Sequence, residues 1–373
     1  MAECKNSPLK ILMTTDTVGG VWTYCMELCK ALQDENIHFY LITTGALMKE
    51  GQRREATSLK NIIVYETTYL LEWMENPWQD IQASSEYLLQ LAEEIKPDIV
   101  HLNCFCYGAL PFKAPVVVVA HSDVWSWWLS VHNTYPPAEW NGYYNRVKEG
   151  LNGADLIITP SKTMLRRLSE IYFPNAPRKV IYNTRSHEFF KSASKEKFIF
   201  TMGRIWDEAK NLKLIVKAAP YIKYQVRIAG ENKMGSNGIE VPEAEICYLG
   251  FLHAEQIKAQ LAAAPVYCLP AKYEPFGLSI LEAALSGCAL VLGDIDSLRE
   301  IWQDNALFVD TNDAVALADQ LNYLLEHDTI CKHFSDKAYT HALKFSTHLM
   351  AEQYREVYQQ LIKSKQPLTT KAA

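Results

Sequence analysis

Leu269–Gly287, LPAKYEPFGLSILEAALSG, joins the end of a predicted buried strand to a loop and then to a helix. Glu274 lies in the loop, which Pro275 and Gly277 constrain, and Glu282 lies eight positions later inside the helix. The first N–H groups of a helix have no partner within it, so the helix start beside Gly277 is a ready anion site. Two acids beside an anion site predict a ligand with both phosphate and hydroxyl groups, and a nucleotide sugar has that composition.

Length and composition limit the classes of protein to consider. A chain of 373 residues is too long for one hydrophobic core and predicts two domains. The net charge of −6 gives no overall basic field, so we expect no nucleic-acid partner and at most peripheral contact with a membrane. No apolar run approaches the ~20 residues of a membrane span.

The cysteines favour a reducing compartment. The chain has nine, an odd number, and they are scattered, so we expect free thiols and a cytoplasmic location. Cys104 and Cys106 form a C-x-C pair, but no second pair completes a zinc set. No metal site is predicted.

Short apolar runs alternate with helical patterns along the whole chain, which predicts an α/β fold with doubly wound parallel sheets. The strands predicted in the first half are Lys10–Thr14, His38–Thr43, Asn61–Tyr65, Ile99–Leu102, Val116–Ala120 and Leu156–Thr159. Those predicted in the second half are Phe198–Met202, Gln225–Ala229, Ile246–Tyr248, Val266–Leu269, Ala289–Leu292 and Leu307–Val309. The polar segment 184–197 between the two series is predicted to be the linker.

Four further regions carry candidate functional groups. Arg204 and Lys210 follow a predicted strand, where two cations could neutralise a diphosphate. Gly19 and Gly20 follow the first strand and permit close approach of a ligand to the backbone. His121 ends another strand, at the edge where open α/β sheets bind ligands. The aromatic residues between positions 125 and 144 could stack on a sugar acceptor or pack within their own domain.

The string Glu274-Pro275-Phe276-Gly277-Leu278, followed by Glu282, resembles the E-x7-E motif of the retaining glycosyltransferases of family 4, also described as glycosyl transferases group 1. The segment from Gly203 to Lys210 resembles the family's G-R-x-x-x-x-K motif, with one residue more between Arg204 and Lys210 than in many members.

The resemblance implies the GT-B fold: two Rossmann-like doubly wound domains that face a cleft, with a C-terminal helix that crosses back to the first domain. It places an acceptor-binding domain at 1–190 and a nucleotide-sugar-binding domain at 191–345. Residues 346–373 would hold the crossover helix and a disordered tail.

The resemblance also implies roles for individual residues. His121, Arg204, Lys210 and Glu274 would take part in catalysis. The expected donor-binding residues are Gly19, Gly20, Arg204, Lys210, Leu252, Glu274, Phe276, Gly277, Leu278, Ser279 and Glu282. Glu274 would contact the transferred sugar, Glu282 the ribose, and the main chain near Leu252 the base.

The activity implied is retaining transfer of a sugar from a UDP-, GDP- or ADP-linked donor to a hydroxyl of a carbohydrate or lipid-linked acceptor, without a cofactor or a metal. Two alternatives remain open at this point. A sugar-nucleotide epimerase of the same architecture would convert the donor without an acceptor, and a non-catalytic relic would only bind sugar. A dehydrogenase is disfavoured because the chain lacks G-x-G-x-x-G after its first strand.

Overall fold

The computed structural model describes residues 7–230, 233–234, 237–238 and 246–365, and these residues form two parallel sheets. The first sheet has seven strands in the order β3-β2-β1-β4-β5-β6-β7. Its strands are β1 Leu9–Asp16, β2 Ile37–Thr44, β3 Ile62–Glu66, β4 Ile99–Leu102, β5 Val116–Val119, β6 Leu156–Thr159 and β7 Arg178–Val180. Its central strands are apolar and buried along their whole length, as β5 shows, because helices cover both faces.

The second sheet has six strands in the order β12-β9-β8-β13-β14-β15. They are β8 Phe198–Met202, β9 Gln225–Ala229, β12 Ile246–Gly250, β13 Val266–Leu269, β14 Ala289–Gly293 and β15 Leu307–Val309. A small antiparallel pair, β10 Lys233–Met234 and β11 Asn237–Gly238, lies apart from it. In both sheets the strand order reverses beside the first strand, and ligands of open α/β sheets bind at such a point.

Helices pack on both faces of each sheet. Along the chain they are α1 Gly20–Ala31, α2 Glu50–Thr57, α3 Trp78–Ile95, α4 Val124–His132, α5 Asn141–Gly153, α6 Lys162–Tyr172, α7 Leu212–Ala218, α8 Ala254–Ala263, α9 Leu278–Leu285, α10 Asp296–Trp302, α11 Ala314–Glu326, α12 Asp328–Ala342 and α13 Thr347–Lys365. Four buried apolar clusters result, one on each face of each sheet. Within the described part of the chain, no helix combines the length and the apolar character that a membrane span needs.

The last helix returns to the first sheet. Met350, Tyr354 and Tyr358 of α13 are buried in the same cluster as Tyr24 of α1 and the strands of the first sheet. The Tyr358 hydroxyl lies 2.7 Å from Nδ1 of His101 on β4. The predicted fold, including the crossover helix, is therefore confirmed, while the boundaries at residues 190 and 345 stay predictions.

The structure corrects several local expectations. Strand β7 was not predicted, because its three residues RKV carry little apolar signal. The predicted tail, KSKQPLTTKAA from Lys363, begins too early, because the crossover helix runs to Lys365; residues 366–373 lie outside the described part. No element was predicted for the aromatic region, which lies mainly in two helices, α4 and α5.

Candidate active site

The two sheets face each other through their carboxyl-end loops. A Cβ added to Gly20 would lie 3.6 Å from Cδ1 of Leu278, so the glycine loop before α1 touches the start of α9. Ser122 Oγ donates to the Tyr273 hydroxyl at 3.2 Å across the same gap. We call Arg204, Lys210, Glu274 and Glu282 the second-sheet wall, and Gly19, Gly20, Asn103 and His121 the first-sheet wall.

The loop that holds Glu274 depends on Gly277. Gly277 has φ +89°, a conformation that favours glycine, and a Cβ there would lie only 2.6 Å from Cδ1 of Ile280. This turn begins α9 and buries the Phe276 side chain beneath it. Ser297 at the start of α10 donates to the main-chain oxygen of Glu274 at 2.6 Å. The position of Glu274 is therefore fixed from both sides.

Lys210 and Glu274 form a close ion pair. Lys210 Nζ lies 2.6 Å from Oε2 of Glu274, and both side chains are largely shielded from solvent. The pair joins the residues expected at the diphosphate and at the transferred sugar, although they are 64 positions apart in sequence. A sugar with its diphosphate could contact both groups from one position.

Arg204 is the more accessible cation of this wall, with 38% of its side chain exposed. Its Nη2 donates to Oδ2 of Asp207 at 2.8 Å, and its guanidinium carbon lies 5.1 Å from the ring centre of Trp206. The Arg204 charge also faces Asp16 of the first sheet, where it opposes the effect of burial, which raises the Asp16 pKa. Arg204 therefore points toward the gap between the walls.

Glu282 projects from α9 toward the linker. Its Oε1 lies 2.8 Å from Nε of Arg185, at ion-pair distance although that N–H is not aligned for a hydrogen bond. Burial raises the pKa of Glu282, and the Arg185 charge opposes this. The predicted ribose acid thus already faces a cation from the segment between the sheets.

The first-sheet wall is shaped by backbone and neutral groups. Asp16 Oδ1 accepts hydrogen bonds from the N–H groups of Val18 at 2.9 Å and Gly19 at 3.0 Å, which closes the turn before α1. A Cβ added to Gly19 would meet no atom within 4 Å, so space remains beside this turn. A ligand could approach the main chain there.

His121 lies beside this turn as a neutral side chain. Its Nε2 is 2.7 Å from Oδ1 of Asn103, and its ring packs against Tyr24 with 4.6 Å between the ring centres. Burial lowers the pKa of His121 to about 3. The imidazole is therefore uncharged at neutral pH and can donate one hydrogen bond from Nε2 to Asn103.

A second histidine supports this arrangement from beneath. The His101 ring nitrogens lie 3.2 Å from the Tyr24 hydroxyl and 2.7 Å from the Tyr358 hydroxyl. His101 is fully buried, and burial lowers its pKa to about 3. A chain of aromatic and imidazole groups therefore runs from α13 through Tyr24 to His121.

The aromatic segment divides between core and gap. Trp125 is 7% exposed and stacks on Tyr143, so its side chain belongs to the core. Trp127, two positions later, donates from Nε1 to Oδ1 of Asp207 at 3.1 Å and so connects α4 to the second sheet. The burial of Trp125 supports the packing alternative for that residue, and an acceptor-facing role stays a prediction for Trp127.

The remaining predicted donor residues cluster near α9, with one exception. Ser279 accepts a hydrogen bond from the Tyr267 hydroxyl at 3.0 Å, and Leu278 touches the glycine loop. Leu252 lies after β12, at the far edge of the second sheet, partly buried in its core. The ligand contacts of all these residues stay predictions.

Sequence reasoning missed Asp207, Arg185, Asn103 and Tyr24. Asp207 has one detectable signal, since it precedes a short 3-10 helix, Glu208–Lys210, and caps it through Ala209 N. Tyr24 lies in α1, Arg185 in the linker and Asn103 in the loop after β4, and only the packing of the fold brings these segments to the site. Among the described residues, no group of three or more His, Cys, Asp or Glu side chains is arranged to hold a metal ion.

Two family models match the chain. Residues 18–188 match the model described as Glycosyltransferase Family 4, and residues 183–341 match the one described as Glycosyl transferases group 1. The two matches overlap at residues 183–188; the first begins after β1 and contains the other six strands of the first sheet, and the second contains all six strands of the second sheet. The E-x7-E segment lies inside the second.

Curated relatives match over shorter segments. The chain is 37% identical over 87 residues to the O-antigen chain mannosyltransferase B of Escherichia coli, which covers 23% of each chain. It is 26% identical over 174 residues to a phosphatidyl-myo-inositol mannosyltransferase of Mycobacterium leprae, over 44% of this chain and 46% of the relative. Both matches thus span less than half of the relative's length.

Solved structures match nearly the whole chain. A sucrose-phosphate synthase from Thermosynechococcus elongatus aligns with a TM-score of 0.82 at 17% identity, over 96% of this chain and all of the other. An Anabaena protein, HepE, in complex with UDP-glucose aligns with a TM-score of 0.74 at 16% identity, over 94% of this chain and all of the other. The two family matches, which together span residues 18–341, identify the chain as a member of the glycosyltransferases, and the shared architecture shows the GT-B fold.

Proposed function

We propose that the protein is a retaining glycosyltransferase that moves a hexose from a nucleotide sugar to a hydroxyl of a carbohydrate or glycolipid. The observation that carries this proposal is the Lys210–Glu274 ion pair, at 2.6 Å, beside the start of α9 and opposite the glycine loop. A cation, an acid and free helix N–H groups in one place match a sugar diphosphate. The names of the two mannosyltransferase relatives agree with a glycan or lipid-linked acceptor.

Each group of the second-sheet wall has a distinct task in this proposal. Arg204 and Lys210 neutralise the charge that develops on the departing diphosphate, together with the N–H groups at the start of α9. Glu274 accepts hydrogen bonds from the transferred sugar, and Glu282 accepts them from the ribose. Since fixed cations supply the positive charge, we expect the reaction to proceed without a divalent metal ion.

The first-sheet wall receives the acceptor. The neutral His121, whose Nε2–H is engaged by Asn103, would accept a hydrogen bond from a sugar hydroxyl at Nδ1 without removing the proton, because its pKa of about 3 makes it a weak base. The departing phosphate would then take the proton of the incoming hydroxyl on the same face of the sugar. Closure of the two sheets around the donor would exclude water and limit its hydrolysis.

The decisive experiment has two stages. UDP-, GDP- and ADP-linked glucose and mannose are screened for binding by thermal shift, where a ligand at 100 times its Kd adds about 2.7 kcal/mol of stability. The donor that binds is then incubated with oligosaccharide and polyprenyl-diphosphate-sugar acceptors, and the anomeric configuration of the product is read by NMR. We expect transfer with retention, in the presence of EDTA.

Several outcomes would overturn parts of this proposal. An inverted product would exclude the retaining mechanism. Conversion of the donor without an acceptor would identify an epimerase, and binding without turnover on any acceptor would favour a sugar-binding protein. Loss of activity in EDTA that Mg²⁺ restores would show that the fixed cations are insufficient.

A further inference from the structure

Arg185, in the linker, contacts both halves of the molecule. Its Nη1 donates to Oε1 of Glu27 on α1 at 2.6 Å, and its Nε lies 2.8 Å from Oε1 of Glu282 on α9. Only 14% of its side chain is exposed, so solvent screens these ion pairs little. One guanidinium therefore stands between two carboxylates that belong to different sheets.

Glu27 anchors this arrangement. It is 5% exposed, and its second oxygen accepts a hydrogen bond from the main-chain N–H of Ser186 at 3.2 Å. It therefore holds both the Arg185 side chain and the backbone beside it. The Phe190 ring, 5.3 Å from the guanidinium carbon, closes another side. A planar guanidinium held at several points has little freedom to move.

Glu282 is held from one side only. Arg185 engages Oε1, whereas Oε2 has no hydrogen-bond donor among the residues that the structure describes. With 14% of its side chain exposed, Glu282 remains accessible to a ligand. A carboxylate with one oxygen fixed and one free presents its acceptor in a defined direction.

We propose that Arg185 is a positioning residue for donor recognition: it orients Glu282 so that one carboxylate oxygen is presented to the ribose hydroxyls, and Glu27 on the first-sheet side holds Arg185 in place. The proposal rests on the proposed function, since it assumes that Glu282 contacts a ribose. It adds that a residue of α1, far from the nucleotide domain in sequence, contributes to ribose selection through Arg185.

The test measures ribose selection directly. Dissociation constants are determined by calorimetry for UDP, GDP and ADP and for their 2′,3′-dideoxy counterparts. A site built to bind hydroxyls rejects the analogue that lacks them, so wild type should prefer the ribonucleotide by roughly tenfold or more. Glu282→Gln and Arg185→Met should each lose most of this preference, and Arg185→Lys should keep part of it.

A double-mutant cycle separates positioning from structural support. Glu27→Gln should reduce the preference in the wild-type background and have no further effect in Arg185→Met, since Glu27 acts only through Arg185. Arg355→Met is the control, because Arg355 also forms a long-range ion pair, with Glu35 at 3.2 Å, but on the exposed surface. The Arg355→Met variant should prefer ribonucleotides over dideoxynucleotides to the same degree as wild type.

Each result has a defined consequence. If wild type binds none of the six nucleotides, the proposed function fails and the inference fails with it. If wild type selects the ribonucleotide but Arg185→Met, Arg185→Lys and Glu27→Gln select it equally well, the inference alone is overturned. If Arg185→Met binds ribo- and dideoxy-nucleotides equally more weakly than wild type, Arg185 has a structural role and the inference is overturned. Should Arg185→Met fail to fold, Arg185→Lys and Glu27→Gln provide the same test.

Discussion

The two walls of the gap are built from different chemistry. The second-sheet wall holds charged side chains in ion pairs, with Lys210 on Glu274 and Arg204 on Asp207. The first-sheet wall holds a neutral histidine, an amide and main-chain groups, supported by buried tyrosines. A charged wall suits a diphosphate donor, whereas an uncharged wall of hydrogen-bonding groups suits the hydroxyls of an acceptor.

The difference also lies in how each wall is assembled. The charged groups of the second wall lie in or next to short continuous segments, Gly203–Lys210 and Glu274–Glu282. The first-sheet wall takes His121 from the end of β5 and Asn103 from the end of β4, and Tyr24 of α1 and Tyr358 of α13 support it from behind. Damage to the second wall should therefore act locally on catalysis, and damage to the first should spread into stability.

Removal of a cation from the second wall should have the largest effect. Arg204→Ala and Lys210→Ala should each lower kcat by about 10²- to 10³-fold, because both act on charge that develops on the leaving group. Arg204→Ala should keep its stability, since Arg204 is partly exposed, whereas Lys210→Ala leaves the shielded Glu274 carboxylate unpaired and should also lower Tm.

Lys213→Ala is the matched control for this prediction. Lys213 lies three positions after Lys210, and its exposed side chain faces Glu208 at 3.8 Å, so its removal should leave kcat unchanged. Steady-state kinetics with the donor found by screening provide the measurement. A wild-type kcat for Arg204→Ala or Lys210→Ala would remove the diphosphate assignment.

The two acids of the second wall should differ in kind. Glu274→Gln should lower kcat by roughly tenfold or more, since hydrogen bonds to the transferred sugar strengthen as the transition state forms. Glu282→Gln should mainly raise the donor KM, because ribose contacts change little during the reaction. Measurements of kcat and donor KM on both variants test this difference. If both variants change kcat and KM to the same extent, the distinct roles of Glu274 and Glu282 are contradicted.

Trp125 and Trp127, both on α4, should show whether substitutions on this helix affect stability or acceptor binding. Trp125→Phe should lower the free energy of unfolding by about 1–2 kcal/mol, because Trp125 packs in the core against Tyr143 and Tyr144. Trp127→Phe removes the hydrogen bond to Asp207 and should raise the acceptor KM severalfold with Tm nearly unchanged. Denaturation and steady-state kinetics on both variants provide the test. If Trp127→Phe lowers only Tm and leaves the acceptor KM unchanged, the acceptor site must lie nearer Gly19.

The smallest effect concerns pH and the support of the first wall. The pKa of His101 is about 3 in the folded protein against an ordinary value of 6.5. Between these values the unfolded chain binds a proton that the folded chain does not. The contribution of His101 to stability is therefore complete above pH 6.5 and is lost as the pH falls toward 3.

His101→Gln should remove this dependence. The fall in unfolding free energy between pH 7 and pH 5 should become smaller by up to about 1.4 kcal/mol per pH unit. His348→Gln, at an exposed position on α13, is the control and should follow wild type. Urea denaturation at several pH values provides the data, and parallel curves for His101→Gln and wild type would show that His101 does not titrate as its burial requires.

The amount that sequence could predict differs between the walls for a physical reason. The bounds of β8, β13 and α9 agree with the predicted ones, because apolar runs and a glycine turn mark them locally. The charged residues of the second wall are recognisable because they are fixed by the turn and helix in which they lie. Asn103 and Tyr24 gave no such signal, since neither stands in a pattern that differs from ordinary loop or core sequence.

The sequence by itself determined the two α/β series and the segments of the second-sheet wall, because hydrophobic periodicity and glycine turns act over a few residues, and its resemblance to family 4 implied the GT-B fold. Only the tertiary structure decided which groups meet. The Lys210–Glu274 pair joins positions 64 apart, the Arg185–Glu27 contact joins the linker to α1, and His101 meets Tyr358 across 257 positions. Such partners are selected by the packing of sheets and helices, where burial makes an unpaired charge or hydrogen-bonding group costly, and no local pattern encodes that choice.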